Sequence, residues 1–362
     1  MSAPLRPRPA VAAMAPYAPP TAGRAGKLRL DFNESTRPVP AAVAAALRAA
    51  LASELLAIYP EYGTARAAVA RHLGQPEERI LLTNGTDDAI GLLVDTYVEP
   101  GDEVLLLCPS YAMYRFYAER AGAAVRAVDY RAEDLSFPLP ELLAALSPRT
   151  RLVVVANPNN PTGTALDAAG LARLLAALPA AAPEAALLVD EAYFEFCGVT
   201  ALPLLPHRQL FVCRTFSKAW GLAGLRLGCL AADPGNATWV RKAQSPYSVN
   251  ALAAAAVTAL LADPGPVEAS VREAKAARAR LFDGLDRRGF RPWPSAGNFV
   301  LFRAGEEARA LCEALRQRGI LVRDRSHDIP GTVRVTAGTV GQAERFLAAL
   351  DGISEEGGRW TP

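Results

Sequence analysis

The sequence predicts an α/β fold: a large domain with a mostly parallel sheet flanked by helices, followed by a smaller α+β domain. Three observations carry this. From about residue 80, short apolar runs of strand length alternate with helical patterns. The runs are near-continuously apolar, as strands are when both faces of a sheet are covered. After "RLGCLAAD", which ends at Asp233, the alternation gives way to a long helical region and then to short strands among helices.

In chain order, "MSAPLRPRPAVAAMAPYAPPTAGRAG" is broken by prolines before any apolar stretch reaches signal-peptide length, and residues 1–30 are expected to form an N-terminal arm. The alanine-rich stretches 41–52, 173–187 and 251–260 carry leucines at helical spacing, so they are predicted as helices. "RILLTNG" is a strand leading into a helix over Asp87–Val98. "DEVLLLCPS" leads into a helix over Tyr111–Ala121, and "TRLVVVANP" into one over Leu166–Leu178. "AALLVDEAY" and "QLFVCRTFSK" are further strands without such clear helices after them. The large domain is placed at 31–240 and the small one at 241–362. A helical region from about Asn236 to Arg288, with few turn signals, leads into the strand "GNFVLFRA" and the helix "EEARALCEALRQRGI". The stretches "LVRD" and "TVRVTAG" follow, then a last helix ending near Leu350.

With 362 residues, 51% of them hydrophobic, the chain buries a sizeable core, and its length suits roughly two domains. A net charge of only +2, with no basic run interleaved with aromatics, argues against nucleic acid as a partner. The five cysteines lack CxxC spacing and are odd in number, and the three histidines form no cluster with acids, so neither a disulfide framework nor a metal is expected. No apolar run approaches the roughly 18 to 20 residues of a membrane helix. A cytoplasmic protein without membrane partners is expected.

In open sheets of this kind, ligands sit outside the carboxyl ends of the strands. Here the polar residues gather at those ends: "TNGT", "CPSY", "NPNNPTG", "DEAY" and "RTFSK". Lys218, in "TFSKAWGLAGLRLG" (Thr215–Gly228), stands between hydroxyls and small apolar residues. Such a lysine is either a surface residue with its stem on apolar neighbours or an amine made nucleophilic by its surroundings. An amine of the second kind can bond an aldehyde cofactor such as pyridoxal phosphate. That cofactor also needs a partner for its ring nitrogen, a phosphate cradle, a stacking ring and hydrogen bonds to its phenolic oxygen. Asp190 ends the apolar strand "ALLVD" and needs a cationic partner if buried, which a protonated ring nitrogen supplies. Gly85, Thr86 and Asp87 turn a strand into a helix, where free N–H groups and the helix dipole favour an anion. Thr215 and Ser217 add hydroxyls, and Arg226 adds a permanent charge. Taken alone, a Gly-Thr-Asp turn is equally an ordinary helix cap.

"NPNNPTG", "DEAYFEF" and "TFSKAWGLAGLRLG", in this order and spacing, resemble the fold-type-I pyridoxal-phosphate aminotransferases over about residues 30 to 350. The resemblance implies that Lys218 is the Schiff-base lysine and proton shuttle, Asp190 the ring-nitrogen partner, and Asn160 and Tyr193 the hydrogen-bond donors to the phenolic oxygen. Tyr111 of "CPSY" is the stacking ring.

Within that superfamily the chain is most similar to the histidinol-phosphate aminotransferases, through "APY" (Ala15–Tyr17), "YPEYG" (Tyr59–Gly63), "LVRD" (Leu321–Asp324) and "VRVTAGT" (Val333–Thr339). By this resemblance Arg334 grips the substrate carboxylate, and Arg323 reaches the substrate phosphate with Tyr17. Tyr59 reaches the cofactor phosphate of a neighbouring subunit, which implies a homodimer with shared active sites. From charge patterning alone, Arg323 beside Asp324 also reads as a solvated strand-edge pair. Where the family commonly has Asn-Glu-Asn-Pro and an aromatic, this chain reads "LDFNESTRPVP": Asn33, a candidate substrate contact, and Glu34 are kept, while Ser35, Thr36 and Arg37 diverge near the expected substrate entrance. The expected reaction is transamination of histidinol phosphate, with glutamate and 2-oxoglutarate as the second pair. The alternatives are a transaminase of another amino acid, aromatic or from specialised metabolism, or an amino-acid-phosphate decarboxylase on the same scaffold.

Overall fold

Adjacent residues of the large sheet's strands enter different hydrophobic cores. Leu81 joins Ile90, Leu93 and Phe211 on one side of the sheet, while Ile80 and Leu82 join Val69, Leu174 and Leu178 on the other. This two-sided burial is why the strands read as unbroken apolar runs. The structure, a computed structural model, describes residues 5–16 and 20–356.

The first short strand is β1 (Leu28–Arg29). The large sheet comprises β2 (Ile80–Thr83), β3 (Glu103–Cys108), β4 (Ala124–Asp129), β5 (Thr150–Ala156), β6 (Ala186–Asp190), β7 (Leu210–Thr215) and β8 (Gly228–Ala232), in the spatial order β2-β8-β7-β6-β5-β3-β4. Neighbours from β7 to β4 are parallel, and β8 runs antiparallel to both β7 and β2. Helices Gly85–Tyr97, Ala112–Ala121 and Pro234–Ala243 contribute to one core, and helices Gly63–Leu73, Ala168–Ala181 and Ala251–Ala262 to the other. The strand β4 was not expected from the sequence. It lies at the sheet edge with most of its residues exposed, so no apolar run marks it.

The helical region expected as one long stretch is three helices: Pro234–Ala243, Ala251–Ala262 and Gly265–Asp286. The breaks coincide with Ser245-Pro246 and Asp263-Pro264, because a residue before proline is pushed out of the helical region. Asn250 restarts the second helix by accepting a hydrogen bond from the Ala253 amide at 2.8 Å.

The small domain holds β9 (Arg291–Pro292), β10 (Phe299–Arg303), β11 (Ile320–Leu321), β12 (Arg323–Asp324) and β13 (Thr332–Thr336). Its antiparallel sheet has the order β12-β13-β10-β9, and β1 pairs in parallel with β11. Residues 28–30 therefore pack with the C-terminal part, Leu30 lying in a core with Phe302, Val335 and Phe346. The helix Gly265–Asp286 serves both units: Val267, Val271 and Ala274 join the large core, Ala277, Leu281 and Leu285 the small one. Packing thus groups residues 251–274 with the large domain, although the sequence alone suggested a boundary near 240.

Candidate active site

A cavity of about 780 Å³ opens at the carboxyl ends of the parallel strands, and all five polar strand ends contribute to its wall. At the end of β6 the chain divides its charges. Asp190 lines the cavity, whereas the next residue, Glu191, is buried against Arg214 at 2.9 Å, with the Arg214 guanidinium 3.5 Å from the Phe194 ring centroid. That buried pair ties the end of β6, where Asp190 lies, to β7, which leads into Lys218.

Asp190 is 3% exposed. Its carboxylate accepts from the Tyr114 hydroxyl at 2.8 Å and from the Ala192 amide at 3.0 Å. Among the described residues no lysine or arginine forms an ion pair with it, and burial pushes its pKa up to about 6 despite those hydrogen bonds. Tyr114 was not foreseen. It stands one helical turn beyond Tyr111, the spacing that puts two residues on one helix face, and the two rings meet edge to face at 5.6 Å. The Tyr111 hydroxyl donates to Asp87 at 2.9 Å.

Lys218 donates from Nζ to the Phe32 carbonyl at 2.9 Å. Burial, reinforced by Arg334 and Arg226, lowers its pKa from 10.5 to about 8, so an appreciable fraction of the amine is neutral near physiological pH. Tyr193 accepts at its hydroxyl from the Asn33 side chain at 3.0 Å, which leaves the hydroxyl proton available to a ligand. Asn160 lines the same wall and accepts from Arg334.

The opposite end of the wall is built for an anion. The helix Gly85–Tyr97 has no side-chain cap on its first amides, and Thr86, Asp87, Thr215, Ser217 and Arg226 line the cavity beside it. Arg226 has a φ of 55°, a left-handed conformation that costs a non-glycine residue roughly 1 to 3 kcal/mol, and pairs with Asp87 at 3.4 Å. Gly85, at φ 78°, lets the guanidinium approach: a Cβ there would sit 2.6 Å from an Arg226 nitrogen.

On the small-domain side, Arg323 and Arg334 are directly opposite each other across β12 and β13 and both line the cavity. Like charges so paired are unfavourable unless an anion joins them. Arg334 is 4% exposed; it donates to the Asn160 side chain and the Asp31 carbonyl, and its Nε has no hydrogen-bond partner. Burial, with Arg325 and Arg323 near, pushes its pKa down to about 10.

Two expected site residues are placed elsewhere. Asn33 does not line the cavity; its φ of 55° turns it inward, where it bonds Tyr193, Thr336 and Asn298. Tyr59 is 73% exposed and stacks on Tyr247 at 4.3 Å, away from this chain's cavity. Tyr17 lies outside the described residues. The divergent Ser35, Thr36 and Arg37 line a small adjoining cavity of about 30 Å³ that shares Glu34 and Lys218 with the large one. Thr36 donates to Gln342 at 2.7 Å, and Arg37 pairs with Glu273. Cavity residues that the sequence reading missed include Phe32, Arg24 and Arg325, the last paired with Asp328.

A partly buried lysine with a depressed pKa, a buried carboxylate lacking a cation and an uncapped helix start beside an arginine, all on one cavity at the strand ends, fit pyridoxal phosphate. Fold and site together define a cofactor-dependent enzyme of amino-group chemistry. The model of the family aminotransferase class I and II matches residues 25–350, and the chain belongs to that family. It is 39% identical over 338 residues to the histidinol-phosphate aminotransferase of Symbiobacterium thermophilum, covering 91% of each chain. It is 36% identical to histidinol-phosphate aminotransferase 2 of Ralstonia nicotianae, covering 90% of this chain and 88% of that one. The crystal structure of histidinol-phosphate aminotransferase from Sinorhizobium meliloti, in complex with pyridoxal-5'-phosphate, superposes with a TM-score of 0.88 at 28% identity, covering 98% and 99% of the two chains. No helix among the described residues is long and apolar enough to cross a membrane.

Proposed function

We propose that this aminotransferase acts on histidinol phosphate, with glutamate and 2-oxoglutarate as the second pair and pyridoxal phosphate as cofactor. The observation that carries the substrate reading is the cross-strand pair Arg323 and Arg334 on the cavity wall. When bound, pyridoxal phosphate supplies an aldehyde for an amine and a ring that draws electrons from the substrate's α-carbon. The chain's own groups do the rest. Gly85, Thr86, Asp87, Thr215, Ser217 and Arg226 would hold the phosphate, and Asp190 the ring nitrogen in its protonated form. Asn160 and Tyr193 would face the phenolic oxygen, and Tyr111 the ring. Lys218 Nζ takes the proton from the substrate's α-carbon, as its low pKa allows. Arg334 binds a carboxylate, and Arg323 a phosphate. Transamination is favoured over decarboxylation because the relatives described above are aminotransferases. The same reading places the enzyme in the cytoplasm, alongside its soluble phosphorylated substrate.

Arg323→Gln tests the substrate. It is expected to weaken histidinol phosphate by about 1.5 to 3 kcal/mol, the range for a charge-assisted hydrogen bond, while leaving the glutamate half-reaction less affected. Single-turnover rates measured on both halves decide it. An equal loss in both, or a kcat/KM for histidinol phosphate no better than for phenylalanine, would assign the enzyme to another amino acid.

The active unit in this reading is a two-fold homodimer. Leu51, Leu56, Ile58, Tyr59 and Tyr247 are each more than half exposed, at 58%, 59%, 53%, 73% and 52%. Four of them fall within nine residues of sequence, and the fifth stacks on Tyr59. Large apolar side chains exposed together mark an interaction surface. Light scattering at assay concentration is expected to give the dimer mass; an active monomer would overturn the shared-site arrangement.

A further inference from the structure

We propose that Arg24 is a positioning residue for Lys218 and Tyr193, acting through a strap of four residues, Asp31 to Glu34. The inference rests on the roles given to those two side chains under the proposed function. Each of the first three strap residues holds one functional group. The Asp31 carbonyl accepts from Arg334, the Phe32 carbonyl accepts from Lys218 Nζ at 2.9 Å, and the Asn33 side chain donates to the Tyr193 hydroxyl at 3.0 Å. The strap thus joins a small-domain arginine to two large-domain groups that face the cofactor's expected position.

Arg24 grips this strap from both ends. Its Nε and one terminal nitrogen reach the two Asp31 oxygens at 3.0 and 2.9 Å, and its terminal nitrogens reach the two Glu34 oxygens at 3.3 and 2.6 Å. Its guanidinium also lies 4.4 Å from the centroid of the intervening Phe32 ring. Planar, bidentate geometry of this kind is available to arginine and not to lysine. Although Arg24 lines the cavity, two carboxylates already neutralise it, so it is a poor receptor for a substrate anion; Arg323, by contrast, has no ion-pair partner among the described residues. With Arg24 removed, Asp31 and Glu34, at 9% and 24% side-chain exposure, become neighbouring like charges, and the remaining ion-pair partner among the described residues is the half-exposed Arg29, 3.8 Å from Glu34. Their repulsion displaces the strap. Tyr193 then loses the hydrogen bond it accepts, which weakens it as a donor, and Lys218 loses the carbonyl that orients its amine.

The test uses the full-length chain loaded with pyridoxal phosphate, as wild type, Arg24→Gln and Arg24→Lys. The visible absorbance of the bound cofactor is titrated against pH, and the cofactor Kd and the KM for histidinol phosphate are measured alongside. In Arg24→Gln the absorbance midpoint is expected to rise by about half a pH unit, because Tyr193 no longer stabilises the ionised phenolic oxygen as well. KM is expected to rise about tenfold through misplacement of the strap. The cofactor Kd should stay within about threefold, since the phosphate cradle does not touch the strap. Arg24→Lys should fall between the two, one carboxylate being satisfied. An unchanged midpoint overturns the proposal, whether KM rises, which would make Arg24 a direct substrate contact, or not. If Arg24→Gln does not fold, Arg24→Lys carries the test, with a smaller shift in the same direction expected and an unmoved midpoint again overturning it. A wild-type protein that binds no pyridoxal phosphate would instead refute the cofactor roles on which the proposal rests.

Discussion

Lys218→Ala is expected to lower turnover by roughly 10⁴-fold or more, since it removes both the amine that bonds the cofactor and the base at the α-carbon. Binding of pyridoxal phosphate should persist, because Arg226, Ser217 and the start of the helix at Gly85 do not depend on the lysine. The wild-type amine provides a control with a definite sign. Its folded pKa of about 8 lies below the ordinary 10.5, so the neutral, nucleophilic form fills in as pH rises through about 8 and is saturated well before an exposed lysine would be. The rate of covalent capture of pyridoxal phosphate, followed by absorbance, should therefore climb between pH 7 and 8 and level off near 9, on the general relation between pKa and thiol or amine reactivity. The alanine variant should show no covalent capture at any pH. Near-normal turnover of the variant would remove Lys218 from its assigned role.

Asp190→Asn separates stability from activity. Burial raises this carboxyl's pKa from 3.8 to about 6, which means that the ionised form is penalised in the folded chain. The penalty is absent below pH 3.8, grows as pH rises towards 6 and is complete above it; a displacement of this size corresponds to about 3 kcal/mol. An asparagine is free of it and can still meet the Tyr114 hydroxyl. Without cofactor, the variant is accordingly expected to be more stable than wild type at pH 7.5 by about 1 to 3 kcal/mol in urea unfolding, with the difference vanishing near pH 4. Turnover should fall by about 10² to 10³-fold, the usual cost of deleting one preorganised electrostatic partner, because asparagine cannot hold a proton on the ring nitrogen. A variant that loses stability at pH 7.5 would show that Asp190 has a cationic protein partner after all, and one that keeps its activity would show that the ring nitrogen needs no carboxylate.

Much of this site was legible in the sequence because it is built from strand ends. A buried strand announces itself as a continuous apolar run, and the first polar residues after it are placed by the strand at the sheet's carboxyl edge. Asp190, Tyr193, Thr215, Ser217, Lys218, Tyr111 and Asn160 were each found in this way or by the motifs around them, and each lines the cavity. The edge strand β4 escaped notice because its exposed residues leave no apolar run. The three-helix split of residues 234–286 turned on two X-Pro steps inside an otherwise helical composition.

What the sequence by itself determined is the set of groups delivered to one edge of the sheet, since a residue's place at the end of a strand follows from its immediate neighbours. What the tertiary structure alone decided is how groups distant in the chain meet. Asn33 was expected at the substrate and instead turns inward, because a left-handed backbone at φ 55° aims it at Tyr193 and Thr336. Arg323 and Arg334 face each other only through the register of β12 on β13. Tyr114 finds Asp190, and Arg24 finds Asp31 and Glu34, through hydrogen bonds whose geometry depends on backbone paths. Local propensity and periodicity act over a turn or a strand, whereas strand register, left-handed turns and the closure of contacts between segments are set by the packing of the whole chain.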